Sequence, residues 1–197
     1  MMPTPEELEA HRRKSLMLAD QPLEQARTAI NGPLYGLTGE LFDLECTEHI
    51  WQFGNCMLLT YLSPRYAQYR YKNDQTFVVT TRLFGEDEHP LFVLFSPVLQ
   101  AGNAVFHATR VVERYRHPFN LAGVDRMHCF LAEKATFTID GKSFKGDVTH
   151  YTAPVRYSSF TLYHGRIGLE GEALGPSIDE LIQIMESLHD LNGKEVE

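Results

Sequence analysis

TFTIDGKSFK, residues 136–145, carries the clearest local signal in this chain of 197 residues. Two short segments that alternate apolar and polar side chains flank the dipeptide Asp140-Gly141. Asp-Gly favours a type I′ turn, because both central positions of that turn need positive φ. The pattern therefore predicts an antiparallel β-hairpin whose two strands meet at Asp140-Gly141.

Further strand-like segments lie on both sides of this hairpin. They alternate apolar and polar residues or are rich in β-branched and aromatic side chains, as strands are. The predicted strands cover residues 41–46, 57–62, 66–71, 76–83, 91–99, 104–115, 127–131, 135–139, 157–163 and 166–170. Segments 127–131 and 135–139 form either two strands or one bent strand. No alternation of strands with helices occurs, which disfavours a doubly wound nucleotide-binding fold.

Helices are predicted at both ends of this run of strands. Thr4, Pro5 and Glu7 form a capping box with proline at the first helical position, so a helix should cover residues 5–19. Pro22 breaks the pattern, and a second helix should follow over 21–31. Ser177 and Glu180 form another capping box, and the apolar spacing after it predicts an amphipathic helix over 177–191.

This order of elements predicts an α+β fold. N-terminal helices and a C-terminal amphipathic helix should pack on one curved antiparallel sheet. No linker or internal repeat is visible, so we expect a single domain over residues 1–197. Its parts are a helical N-terminus over 4–31, a β-rich body over 38–171 and the C-terminal helix over 177–191.

The charge distribution limits the classes of partner. The formal net charge is −8, and residues 167–197 carry eight carboxylates against one lysine. An acidic segment repels phosphate groups, which disfavours nucleic acid and anionic membrane surfaces as partners. Three cysteines without a CxxC motif, together with no visible signal peptide, predict a cytoplasmic protein.

Common catalytic and cofactor motifs are absent from the sequence. Gly141-Lys142-Ser143 resembles the end of a phosphate-binding loop, but residue 136 is Thr where that loop needs Gly. The nine histidines include no pair at spacing i,i+2 or i,i+4, so no local metal site is encoded. We therefore expect neither a metal nor a cofactor.

Residues 107–117 carry most of the candidate site residues. Alternation along a strand places His107 and Glu113 on one face, where they could serve as catalytic groups. The opposite face is basic and, with the adjacent His117, could bind an anionic ligand through Arg110, Arg114, Arg116 and His117. A solvated strand face with cross-strand ion pairs would give the same pattern.

Two further groups of residues complete the candidate site residues. Tyr69 and Tyr71 share one face of the predicted strand 66–71 and could contact a ligand, although core aromatic residues give the same alternation. His128 and Tyr151 are weak catalytic candidates. Tyr151 could act with Asp147 and His150, but residues 147 and 150 point to opposite faces of a straight strand.

These features favour a non-catalytic binding or adaptor protein that uses a face or an edge of its antiparallel sheet. Its partner would be another protein or a second copy of the chain, and a small anionic ligand is compatible with the arginines. The alternative is a small hydrolase or lyase that acts on a small anionic compound in a pocket between sheet and helices. A carrier of an apolar ligand or haem is a third hypothesis.

Overall fold

The computed structural model describes residues 3–52, 56–69, 75–85, 114–117, 127–153 and 156–193, with backbone geometry alone for 114–117, 127–134 and 151–153. Its α-helices are α1 Pro5–Ala19, α2 Leu23–Ala26 and α3 Ile178–Glu186, and 3-10 helices cover Arg27–Ala29, Leu41–Asp43 and Pro64–Tyr69. The strands are β1 Tyr35–Gly36, β2 Glu45–Gln52, β3 Cys56–Leu62, β4 Phe77–Leu83, β5 Arg114–His117, β6 Met127–Ile139, β7 Lys142–Ala153, β8 Tyr157–His164, β9 Ile167–Leu174 and β10 His189–Asp190.

Eight of these described strands form one sheet in the order β2-β3-β4-β9-β8-β7-β6-β5. Each pair of neighbours is antiparallel. The predicted α+β class, with helices on an antiparallel sheet, is thereby confirmed. The order also places β4 beside β9, so that Phe77 faces Ala173 across the middle of the sheet.

The hairpin at Asp140-Gly141 forms as the sequence predicts. Asp140 has a φ of 52° and Gly141 a φ of 73°, the positive values that a type I′ turn requires. β6 and β7 pair along most of their length, from Ile139 opposite Lys142 to His128 opposite Ala153. Residues 127–139 form one strand, with a register shift between Ala132 and Ala135.

One face of the sheet, called the inner face below, packs against the helices. Its side chains come from alternate strand positions and share a cluster with α3. The cluster includes Leu59, Phe77, Val79, Phe137, Phe144, Phe160, Leu162, Leu169, Leu181, Ile184 and Met185, all at most 2% exposed. This burial supplies the apolar contact that holds α3 against the sheet.

Helix α1 begins as predicted and packs against β2. Thr4 accepts a hydrogen bond from the Glu7 backbone N–H, and the Glu7 carboxylate accepts one from the Thr4 backbone N–H. The ring of His11 stacks on Trp51 at 4.8 Å, and His49 Nε2 donates to the Leu18 carbonyl at 2.9 Å.

Three predicted elements differ from the structure. The predicted strand 66–71 is wrong over residues 66–69, because Pro64–Tyr69 form a 3-10 helix in which the Ser63 carbonyl accepts from the Tyr66 N–H; residues 70 and 71 lie outside the described residues. Segment 41–46 begins with a 3-10 helix, and its strand starts only at Glu45. Helix 21–31 shortens to α2 followed by the 3-10 turn Arg27–Ala29.

The C-terminal helix also ends earlier than predicted, at Glu186 instead of residue 191. The chain turns at Ser187 and forms β10, which pairs with β1. Asp190 Oδ1 accepts hydrogen bonds from the backbone N–H groups of Leu34 and Asn192, each at 2.9 Å. This pairing ties the end of the described chain to its first quarter.

Predicted strand 91–99 and residues 104–113 lie outside the described residues. Within the described ranges, none of the helices is long and apolar enough to cross a membrane.

Candidate functional site in a cleft on the outer face of the sheet

The face opposite the core, called the outer face below, carries three rows of mostly polar residues across the central strands. Paired residues in neighbouring antiparallel strands point to the same side, so the register defines each row. The rows are Cys56–Arg82–Gly168–Tyr163–Lys145, Leu58–Thr80–Glu170–Thr161–Asp147 and Thr60–Val78–Glu172–Ser159–Thr149.

A cleft of about 300 Å³ lies over these rows, and we call it the outer cleft. Its lining residues come from β2, β3, β4, β8 and β9 and are Gln52, Leu58, Val78, Thr80, Arg82, Ser159, Phe160, Thr161, Glu170, Gly171 and Glu172. The volume is at the lower end of the range for small-molecule sites. Leu58 and Val78 give it an apolar wall beside the charged and hydroxyl groups.

One end of the outer cleft contains a guanidinium beside a thiol. Arg82 and Cys56 are Cα partners across β3 and β4, and the Cys56 thiol donates a hydrogen bond to Gln52 Oε1 at 3.3 Å. Burial raises the pKa of Cys56, and the charge of Arg82 together with its hydrogen bond to the thiol opposes this only in part. The thiol is therefore protonated at neutral pH and a poor nucleophile.

The middle of the outer cleft holds a half-buried carboxylate. Glu170 stands opposite Thr80 and diagonally across from Arg82. Burial raises the pKa of Glu170, Arg82 lowers it, and the neighbouring Glu172 raises it again. Arg82 and Glu170 thus interact through their charges, yet they form no ion pair within 4.0 Å in the described structure.

The other end of the outer cleft contains an unpaired hydroxyl. Ser159 is 4% exposed, and its Oγ has no hydrogen-bond partner among the described residues. The Nε atom of Arg82 is likewise buried without a partner. A buried polar group without a partner costs about 1–3 kcal/mol, so both groups favour a ligand or ordered water nearby.

Gly171 lets the strands approach closely beneath this cleft. A Cβ atom at that position would lie 1.9 Å from the Val78 carbonyl oxygen and 2.6 Å from the Phe160 ring. The glycine therefore fixes β9 against β4 at the level of Glu170. The flanking Glu170 and Glu172 are consequently held on the outer face.

The inner face carries a separate buried polar pair. His150 and Ser158 are Cα partners, and their Nδ1 and Oγ atoms share a hydrogen bond of 2.5 Å. Burial lowers the pKa of His150 to about 4, and the charge of Arg156 adds to this effect. His150 is therefore neutral at pH 7 and is held within the core.

Tyr69, a predicted ligand-binding residue, lies in the 3-10 helix Pro64–Tyr69 and not on a strand. The Arg156 guanidinium lies over its ring, 5.4 Å from the centroid. Arg156 also donates to the Gly175 carbonyl at 3.5 Å. Tyr69 thus contacts the segment between β9 and α3, away from the outer cleft.

The structure describes five other predicted residues by backbone position alone. Arg116 is the Cα partner of His128, Arg114 pairs with Phe130 and His117 pairs with Met127. Tyr151 pairs with Cys129 on one side and Tyr157 on the other. These positions lie on β5, β6 and β7, toward the sheet edge remote from Arg82, and their site roles stay predictions.

His107, Arg110, Glu113 and Tyr71 lie outside the described residues. Asp147 and His150 occupy opposite faces, because Asp147 pairs with Thr161 and His150 pairs with Ser158 without a register shift. A set that combines Asp147, His150 and Tyr151 in one acid–base centre therefore does not form. Among the described residues, no group of three or more His, Cys, Asp or Glu side chains is placed to hold a metal ion.

Sequence reasoning missed the residues of the outer cleft. Thr80 and Arg82 are two residues apart on β4, as Glu170 and Glu172 are on β9. This spacing places each pair on one face of its strand, and it was the signal in the sequence for a polar face. The pairing of β4 with β9 brings these positions together, and nothing local in the sequence encodes that pairing.

No match emerges when the chain is compared with protein-family models, with curated proteins and with solved structures. The function is therefore inferred from the geometry of the outer cleft and from the chemistry of its residues.

Proposed function

We propose that this protein is a non-catalytic binding protein that receives a polar group of its ligand in the outer cleft. The observation that carries the proposal is the separation of Arg82 from Glu170 in a lined cleft of about 300 Å³. A polar group of a ligand placed between Arg82 and Glu170 would form charge-assisted hydrogen bonds with both side chains. A small molecule or a side chain of a partner protein can supply that group.

The unpaired hydroxyl of Ser159 supports the same proposal. It lies on β8 and Arg82 lies on β4, with β9 between them, so that polar groups mark both ends of the outer cleft. A ligand that spans the cleft would satisfy groups that are now buried without partners. The apolar wall formed by Leu58 and Val78 would contact its hydrocarbon part.

Two described groups that can take part in catalysis elsewhere, Cys56 and His150, fit binding without chemistry here. The Cys56 thiol is protonated because burial raises its pKa. His150 is 1% exposed and hydrogen-bonded to Ser158 on the inner face, so it does not reach the outer cleft. The free thiols of Cys46 and Cys56 also support the proposed cytoplasmic location.

Native mass spectrometry tests this function directly. The protein is incubated with a small-molecule extract of its host, separated from unbound compounds and weighed. Thr161→Phe should fill part of the outer cleft and reduce the amount of compound that stays bound at least about tenfold. Thr138→Phe makes the same change on the outer face of β6, outside the cleft, and should retain the ligand.

The chemical state of the released compound separates the two classes of function. A compound released with unchanged mass and structure supports binding. A compound that the protein converts to a product supports the hydrolase or lyase alternative and overturns the proposal. Retention that is equal in both phenylalanine variants, or absent in the unmodified protein, also contradicts it.

A further inference from the structure

We infer that the ligand group held between Arg82 and Glu170 is a carboxamide, whose oxygen accepts from the guanidinium and whose N–H donates to the carboxylate. This inference rests on the proposed binding function and specifies the chemistry of its ligand. The amide could belong to a free small molecule or to the chain of a peptide.

The complementarity of the two side chains supports an amide. A guanidinium can only donate hydrogen bonds, and an ionised carboxylate can only accept them. Arg82 on β4 and Glu170 on β9 therefore present a donor beside an acceptor across one strand pair. A carboxamide presents the inverse arrangement within a single planar group.

The distance between the charges is compatible with one inserted group. The two side chains stand at diagonal positions on adjacent strands, where neighbouring residues are about 7–8 Å apart. The guanidinium nitrogens of Arg82 and the carboxylate oxygens of Glu170 are more than 4.0 Å apart, yet the charge of Arg82 lowers the pKa of Glu170. Long side chains at diagonal positions lie within reach of one another, which leaves room for one bridging group between the two charges.

The charge balance disfavours ionised ligands. Glu170 and Arg82 together are neutral, and the exposed Glu172 adds a negative charge to the outer cleft. A ligand carboxylate could bind Arg82 but would face two like charges, and a ligand ammonium would face Arg82. A neutral amide uses both partners without repulsion, and repulsion of the alternatives gives specificity.

Nearby groups accommodate the rest of such a ligand. The Thr80 hydroxyl stands in the same row as Glu170, between the charged pair and Leu58. Leu58 and Val78 offer apolar contact on one side, and Ser159 offers an unpaired hydroxyl further along. A carboxamide carried on a short apolar body matches this order of groups.

Matched amide and carboxylate probes test the inference. One pair is benzamide and benzoate. The other is N-acetyl-Ala-Gln-Ala-N-methylamide and its Glu counterpart, in which amide and acid differ at one side chain. Binding is followed at neutral pH by NMR titration of the backbone amide signals of residues 78–82 and 168–172.

The expected result is an amide affinity at least about tenfold above that of the matched acid, the effect of one charge-assisted hydrogen bond. Glu170→Gln should bring the two affinities within about threefold, because the new amide can donate to a carboxylate. Glu48→Gln removes one charge from the outer face of β2, beyond the outer cleft, and should keep the preference. Circular dichroism confirms that both variants are folded.

The two probe pairs also distinguish the sources of the amide. Preference in the benzamide pair alone indicates a small ligand, and preference in the peptide pair alone indicates a partner chain. Equal or tighter binding of the acids, a preference that survives Glu170→Gln, or no binding of either amide overturns the inference. In those cases the proposed function still stands if Thr161→Phe abolishes retention of the host compound.

Discussion

The Nδ1 atom of His150 lies 2.5 Å from the Oγ atom of Ser158 across the pair of strands β7 and β8. Both side chains are at most 1% exposed. The next residue, Ser159, points to the opposite face, where its hydroxyl has no hydrogen-bond partner among the described residues. Two consecutive serines therefore differ in structural role, and alternation along one strand is the cause.

Removal of these two hydroxyl groups should have unequal effects on stability. Ser158→Ala takes a buried hydrogen-bond partner from His150, and we expect the free energy of unfolding to fall by about 1–3 kcal/mol. Ser159→Ala removes a buried hydroxyl that has no partner among the described residues, so the free energy of unfolding should not fall and should rise by up to about 1–3 kcal/mol. Urea denaturation of both variants measures the difference, and equal losses would contradict it.

Acid should destabilise the protein through His150. Its pKa is lowered to about 4 in the folded state, whereas an unfolded histidine titrates near 6.5. Between these values the unfolded chain binds more protons, so stability falls as pH falls, by at most about 1.4 kcal/mol per pH unit. His150→Gln should flatten this dependence in urea denaturation series between pH 6.5 and pH 4. An unchanged slope would show that other groups cause it.

Glu170 should make the free energy of unfolding depend on pH in the opposite direction. Its pKa is raised mainly by burial, so the folded state holds this proton more strongly and stability falls as pH rises through that pKa. Glu170→Gln should increase the free energy of unfolding at pH 7.5 by at most about 1 kcal/mol, since solvent screens a half-buried group. The gain should be smaller near pH 4.5. A gain that is larger at the lower pH would contradict the assignment.

The close approach of β4 and β9 at Gly171 should make this position intolerant of a side chain. Gly171→Ala places a Cβ atom against the Val78 carbonyl oxygen, and we expect a loss of about 2–4 kcal/mol. Gly32→Ala is a suitable control. Its nearest contact would be the flexible end of Leu83 at 3.3 Å, so a loss below about 1 kcal/mol is expected. Thermal and urea denaturation compare the two.

Local patterns predicted the elements whose signals are contained within a few residues. The capping boxes at Thr4 and Ser177 and the turn at Asp140-Gly141 form because the interactions that define them span three residues or fewer. The segment after Ser63 shows the limit of this approach. Its alternating tyrosines favoured a strand, whereas Ser63 and Pro64 were the helix-start signal, and the Ser63 hydroxyl accepts from the Arg65 N–H.

Pairings between distant segments were not predictable from these patterns. The apolar spacing continues through Leu188 and Leu191, which favoured a helix to residue 191. Both residues do contact the core, but the backbone at His189 and Asp190 pairs with β1 instead of continuing the helix. The outer cleft also arises from a pairing between distant segments, because β4 pairs with β9 and thereby places Arg82 beside Glu170.

The ribbon formed by β1 and β10 sets a timing constraint on biosynthesis. Tyr35 pairs with Asp190, so the ribosome must add 155 further residues before this contact can form. At about 5–20 residues per second, the early segment waits roughly 8–30 s for its partner. During that interval the nascent polypeptide cannot complete its fold, and its apolar strands remain open to chaperones.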